Sequence, residues 1–166
     1  MVRSRGVPRY APYYCEENAW WLAREVPHAR VVFITNRTRT VAMHAQRAGE
    51  DVVWDYHVVV LADGMVWDLD CTRGMPLALD AWIAASFDPN VAAHLAPRFR
   101  VVDASDYHAR FASDRRHMRA PDGRWLAPPP PWDPIGVGHD LDRWIDLDEG
   151  EWIDLTSLAY GASRRA

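Results

Sequence analysis

WDYHVVVLADGMVWDLD, residues 54–70, decides the fold. Residues 53–61 and 65–70 are rich in β-branched and aromatic side chains, and Asp63-Gly64 between them is a strong two-residue hairpin signal. Alternate side chains of a strand share a face. Asp55, His57 and Val59 therefore point one way, and Tyr56, Val58 and Val60 the other. With Asp63-Gly64 as the turn, Ala62 pairs with Met65 and His57 stands opposite Asp70; a loop two residues longer brings it opposite Asp68. Either register leaves Asp68 and Asp70 on the face of His57, as direct or diagonal neighbours. A histidine beside carboxylates on a rigid hairpin is an oriented acid/base unit that calls for a nucleophile.

The nucleophile candidate lies upstream, in Tyr14-Cys15-Glu16-Glu17-Asn18. The following AWWLAREV has helical periodicity and stops at Pro27. Cys15, Ala19, Leu22 and Val26 form one apolar stripe, and Glu16 and Glu17 fall in the first turn, where the helix dipole favours acids. Cys15 is thus predicted at a helix N-terminus facing the sheet, a location that favours thiolate. Taken alone, Cys15 reads as the continuation of an apolar stripe, since free cysteine is often a small buried hydrophobe. The histidine and carboxylates of the hairpin reverse that reading.

Outward from these two segments, Arg30–Thr35 reads as a buried strand, and residues 41–50 as either a strand or a loop over the site. Residues 77–87 and 105–118 read as amphipathic helices, the second opened by a Ser or Asp cap, with a short strand at 99–102 between them. Residues 128–131, PPPP, are rigid polyproline II that braces two elements. Residues 141–145 and 154–158 are short helical pieces, and residues 1–12 an extended lead-in. Trp20, Trp21, Trp54, Trp67 and Trp82 are assigned to the core, with one or two lining the pocket. His28, His44, His94 and His139 are assigned to the surface, and Asp114 with Arg115 to a buried ion pair. Cys71 reads as structural, its side chain alternating away from the His57 face. The fold class is α+β: one domain over residues 1–166, a small antiparallel sheet with the Cys15 helix packed across it.

Bulk composition narrows the function classes. The formal net charge of −4 gives no footprint for nucleic acid. The N-terminus has no apolar core of a signal peptide, and the longest apolar run is far too short to span a membrane. Two cysteines make neither a disulfide framework nor a zinc set. The expectation is a soluble, cytoplasmic monomer with no metal and no organic cofactor, and a free thiol suits a reducing compartment.

YCEEN at 14–18, WDYHVV at 54–59, DLD at 68–70, FASDRRHM at 111–118 and PPPP at 128–131 follow one another in that order. Together they resemble the protein N-terminal glutamine amidohydrolase family, over nearly the whole chain from about Tyr13 to residues 155–158. The resemblance implies a cysteine amidohydrolase of papain/transglutaminase-like core that deamidates N-terminal glutamine of proteins or peptides to glutamate. It implies a thioester intermediate on Cys15, His57 as acid/base, and Asp68, the first Asp of DLD, as triad acid. Strand alternation does not choose among Asp55, Asp68 and Asp70. The product glutamate would feed an N-degron pathway. Discrimination of a chain start needs an acceptor for the α-ammonium, and Glu17, Asp55 and Asp70 are the nearest carboxylates. Substrate residues beyond the first are expected to matter little, proline at the second position excepted. The alternatives are a related cysteine enzyme acting on internal glutamine and a catalytically silent module on the same scaffold.

Overall fold

The computed structural model describes residues 6–163, so residues 1–5 of the expected lead-in lie outside the described residues. Five strands form an antiparallel sheet in the order β6-β5-β4-β1-β7: β1 Arg30–Thr35, β4 His57–Ala62, β5 Met65–Trp67, β6 Leu77–Ala78 and β7 Arg98–Asp103. The α+β class and the small antiparallel sheet are thus as expected. Residues 41–50 prove to be half of a separate hairpin, β2 Val41–Gln46 paired with β3 Gly49–Trp54.

The alternation of β1 and β4 builds two cores. Val31, Phe33, Val58 and Val60 face α1 (Cys15–Leu22), α3 (Ala104–Arg110) and α4 (Leu141–Trp144), meeting Ala19, Leu22, Tyr107 and Trp144. Val32, Ile34, Val59 and Leu61 face the other way, onto α2 (Leu79–Ser86), the β2-β3 hairpin and α5 (Leu155–Ser163), meeting Trp82, Met43 and Leu158. Each such side chain fully buried contributes about 1.5–3 kcal/mol, so both faces fix the register of β4. A one-residue slip would exchange the two sets.

The hairpin turn is Asp63-Gly64, with both residues at positive φ, and Ala62 pairs with Met65. The pairing then ends at Val60–Trp67. His57 therefore has no strand partner on this side. The chain turns after Trp67, and the curl carries Asp68, rather than the formally opposite Asp70, onto His57.

The helix expected over 105–118 is broken. α3 ends at Arg110; Phe111 is extended, Ser113 bridges Ile135, and Arg115 takes φ 66 before a short 3-10 turn at Arg116–Met118. Nor is α3 opened by a side-chain cap: Asp103 stands at that position without one. Of the five tryptophans assigned to the core, Trp82 is 1% exposed, whereas Trp20, Trp21, Trp54 and Trp67 are half-buried. Cys71 is buried in the cluster that holds Val59 and Leu61, the alternation face of His57, and not the opposite one. No helix among the described residues is long and apolar enough to cross a membrane.

Candidate active site

α1 begins at Cys15, and its start is held from several sides. The Asn18 side chain accepts from the Ala11 amide at 2.8 Å and donates to the Ala11 carbonyl at 2.9 Å. The Tyr14 hydroxyl donates to the carbonyl of Ala127, at the entrance to the PPPP run, at 3.1 Å. Tyr13, at φ 68, carries a bulky side chain in the left-handed region, a conformation that persists only where the surroundings over-determine it. The stripe Cys15, Ala19, Leu22 and Val26 is buried against the sheet as its spacing predicts, although the helix proper ends at Leu22 and continues as turns.

The thiol does not behave as a helix start alone would dictate. Burial raises the Cys15 pKa well above the ordinary value, the Glu16 and Asp70 carboxylates add to the rise, and the hydrogen bond from the Val58 backbone opposes it. The eight-residue α1 carries too small a dipole to outweigh desolvation and two nearby anions. Burial and the two carboxylates thus favour the thiol form of Cys15 over the thiolate.

His57 is 2% exposed and lies 2.9 Å through Nε2 from Asp68 Oδ1. A carboxylate only accepts, so Nε2 carries the proton and Nδ1 remains the second ring nitrogen. Asp68 is saturated: Oδ1 also accepts the Asp70 amide at 3.0 Å, and Oδ2 accepts Trp82 Nε1 at 3.1 Å and Gln46 Nε2 at 3.2 Å. Burial pushes Asp68 up, but His57 and these donors outweigh it and hold the carboxyl below its usual range. For His57, burial pulls the pKa down, yet the charge and hydrogen bond of Asp68, with Asp70 and Glu16 behind them, leave it raised. The Trp54 ring lies flat against the imidazole, centroids 5.9 Å apart and planes 12° apart. His57, Asp68 and Asp70 present ligand-type atoms within 4.8 Å of one another, but those of Asp68 are spent on donors and Asp70 Oδ1 accepts the Tyr10 hydroxyl at 2.6 Å.

Cys15 and His57 line one cavity of about 220 Å3. The alternation of β4 sends Tyr56 and Val58 toward α1 and Val59 away from it, so His57 belongs to the opposite face. Both border the cavity as the first residues of their elements, Cys15 of α1 and His57 of β4. Asp55, Asp70, Tyr56, His117 and Asp142 also border this cavity. A larger hollow of about 1040 Å3 lies at the far end of β1 and β4, bordered by Arg30, Leu61, Ser105 and His108.

Both acids of YCEEN, Glu16 and Glu17, are wholly buried. Glu17 receives Arg115 through Nε at 2.7 Å and Nη2 at 2.9 Å, and Trp132 Nε1 at 2.7 Å. Among the candidate ammonium acceptors, Glu17 is therefore spent and stands outside the cavity lining, while Asp55 and Asp70 border it. The expected Asp114–Arg115 pair does not form: Asp114 pairs with Arg116 on the surface, because the left-handed turn at Arg115 sends that side chain inward. Glu16 accepts the Tyr56 hydroxyl at 2.9 Å and lies 3.1 Å from His117 Nε2 and 3.7 Å from Cys15 Sγ. His117 stacks on His139, centroids 5.2 Å apart, and the His139 side chain is only 6% exposed, not a surface group. Alternation did point Tyr56 at α1; nothing in the spacing signalled that His117, about a hundred residues from Glu16, would close on it. Gln46 was hidden in the segment whose structure the pattern left open.

The chain matches the model of the family described as N-terminal glutamine amidase over residues 10–162. It is 37% identical over 172 residues to the protein N-terminal glutamine amidohydrolase of Arabidopsis thaliana, an alignment covering 87% of this chain and 78% of that protein. It is 39% identical over 166 residues to the protein of the same name from Drosophila mojavensis, covering 86% and 80%.

Proposed function

Because the chain belongs to the N-terminal glutamine amidase family, we propose that it removes ammonia from an N-terminal glutamine side chain of a protein or peptide, using Cys15, His57 and Asp68. The observation that carries the triad is the buried His57–Asp68 pair opening onto the same 220 Å3 cavity as Cys15. A cysteine at a helix start packed on an antiparallel sheet, with its histidine on the sheet, supports the papain/transglutaminase-like reading.

In this mechanism His57 Nδ1 takes the Cys15 proton as Sγ bonds to the side-chain carboxamide carbon. The oxyanion is met by the Cys15 backbone N–H, which as the first of a helix has no partner within it. His57 returns the proton to nitrogen, the C–N bond breaks and ammonia leaves a thioester. A water deprotonated by His57 then attacks the thioester, the C–S bond breaks, and the proton restores the thiol beside the product glutamate. Asp68 holds the imidazole tautomer and stabilises the imidazolium. Asp55 and Asp70 are the carboxylates offered to the α-ammonium. The two free thiols fit a cytoplasmic enzyme, which we read as a monomer.

The test is ammonia release from four peptides that begin with Gln, acetyl-Gln, Asn or Gly-Gln. Only the first should be turned over well, and Cys15→Ala should abolish its turnover while thermal unfolding stays close to wild type. Asn is one methylene short, and a misplacement of about 1 Å can cost about 10²-fold. Comparable rates for Gln and Gly-Gln would sink the N-terminal reading; turnover by Cys15→Ala would sink the thioester.

A further inference from the structure

His57 and Asp68 are joined by more than their own hydrogen bond. The β2–β3 hairpin is a separate two-stranded sheet, yet it sends two side chains to this pair. Gln46, the last residue of β2, is 2% exposed, and its Nε2 donates to Asp68 Oδ2 at 3.2 Å. The same Nε2 lies 3.4 Å from the His44 carbonyl. Gln46 Oε1 accepts Nε1 of Trp54, the last residue of β3, at 3.4 Å. Trp54 in turn lies along the His57 imidazole with planes 12° apart, and so closes a circuit. His57, Asp68, Gln46 and Trp54 form one ring: the carboxylate holds the imidazole at its Nε2 edge and the indole covers its face.

The Gln46 amide fits this ring in one orientation. A carboxylate needs a donor and an indole N–H needs an acceptor, so Nε2 faces Asp68 and Oε1 faces Trp54. An apolar side chain would satisfy neither, and a carboxylate would satisfy Trp54 alone. The backbone around Gln46 is shaped to deliver that amide. Ala45 takes φ 55, a left-handed conformation that residues other than glycine seldom adopt. Its carbonyl accepts the Thr72 amide at 2.8 Å, and the Arg47 amide donates to the Asp70 carbonyl at 2.7 Å. These two bonds clasp the end of β2 to the curl that carries Asp68, with Gln46 bridging Cys71 between them. Trp82, the other donor to Asp68 Oδ2, belongs to α2 and does not extend this ring.

We propose that Gln46 is a positioning residue for the reaction: it ties Asp68 to Trp54 and thereby sets the orientation in which His57 meets the thiol. Gln46 acts through these two neighbours and touches no reacting atom. The proposal rests on the Cys15–His57–Asp68 reading above. It gives the β2–β3 hairpin, which supplies no member of that triad, a part in the chemistry.

The experiment measures kcat and KM for one peptide beginning with Gln on Gln46→Met, Trp54→Phe and the double variant, with Asp68→Asn as reference. The ring-nitrogen NMR spectrum of His57 is recorded for each. Methionine fills the volume of glutamine without its amide, and phenylalanine keeps an aromatic face over His57 without the N–H. Gln46→Met should lower kcat about tenfold with KM nearly unchanged, since misplacing a catalytic group can cost up to about 10²-fold. Trp54→Phe should lose less. The double variant should lose no more than Gln46→Met, because the indole N–H acts through the amide. Neutral His57 should show the Nε2–H form alone in wild type and a mixture of both tautomers in Gln46→Met, a change that loss of folded protein does not produce. Wild-type kcat and a single tautomer in Gln46→Met, with Asp68→Asn strongly impaired, overturn the proposal alone. Losses that add in the double variant overturn the link through Trp54. Full activity of Asp68→Asn overturns the triad reading, and this proposal with it.

Discussion

Two histidine–carboxylate pairs flank the same thiol, and they are built differently. In His57–Asp68 the carboxylate has four donors, is 1% exposed, and is held in one orientation by Trp82, Gln46 and the Asp70 amide. In His117–Glu16 the carboxylate meets only the imidazole, the Tyr56 hydroxyl and the Cys15 thiol, and the histidine is 18% exposed against another histidine. A carboxylate held by several donors fixes the orientation of the histidine it binds; a sparsely paired one fixes it less. The difference supports the proposed assignment of His57 as the base, with His117 as a group that positions Glu16 and Tyr56 beside the thiol.

The largest test of this contrast is Asp68→Asn, which should lower kcat by roughly two orders of magnitude or more, since a wrong tautomer can cost up to about 10⁴. Asp70→Asn and Asp55→Asn should cost less in kcat. Asp68→Asn should also move the acid limb of kcat/KM. His57 takes the thiol proton only when neutral, and its pKa is raised, so the wild-type rate should fall on acidification through a limb above the ordinary histidine range. Without Asp68, burial acts with only Asp70 and Glu16 opposing it, and the limb should shift to lower pH. A pH profile that stays in place would remove His57–Asp68 as the base.

Stability separates the next pair of sites. Arg115 is buried against Glu17, so Arg115→Ala leaves an unpaired buried carboxylate and should destabilise by about 3–5 kcal/mol. Arg116, paired with Asp114 on the surface, should tolerate alanine without a measurable change. Chemical denaturation of both variants decides; equal losses would mean that Glu17 is not the anchor of the 3-10 turn.

The smallest effect should come from His117→Gln. It removes the imidazole that lies 3.1 Å from Glu16 Oε1 and 3.3 Å from the Tyr56 hydroxyl, worth about 1 kcal/mol net, and should reduce kcat/KM by about fivefold with the acid limb unmoved. A loss comparable to Asp68→Asn would erase the distinction between the two pairs.

The features legible in the chain are those that depend on local spacing. The Cys15 stripe, the Asp63-Gly64 turn, the strand at Arg30–Thr35 and the pairing of Ala62 with Met65 are set by side-chain period and turn stereochemistry, which act over a few residues. Tertiary structure alone decided which carboxylate His57 meets, because β5 stops at Trp67 and the curl that follows is drawn onto Trp82 and Gln46, donors supplied by other elements. It also broke the helix read across residues 105–118, where Arg115 is buried against Glu17 and Ser113 bridges Ile135. The Cys15 pKa followed the same rule. A helix start is visible in the pattern, whereas the desolvation and the neighbouring carboxylates that hold the thiol protonated exist only once the chain has closed around it.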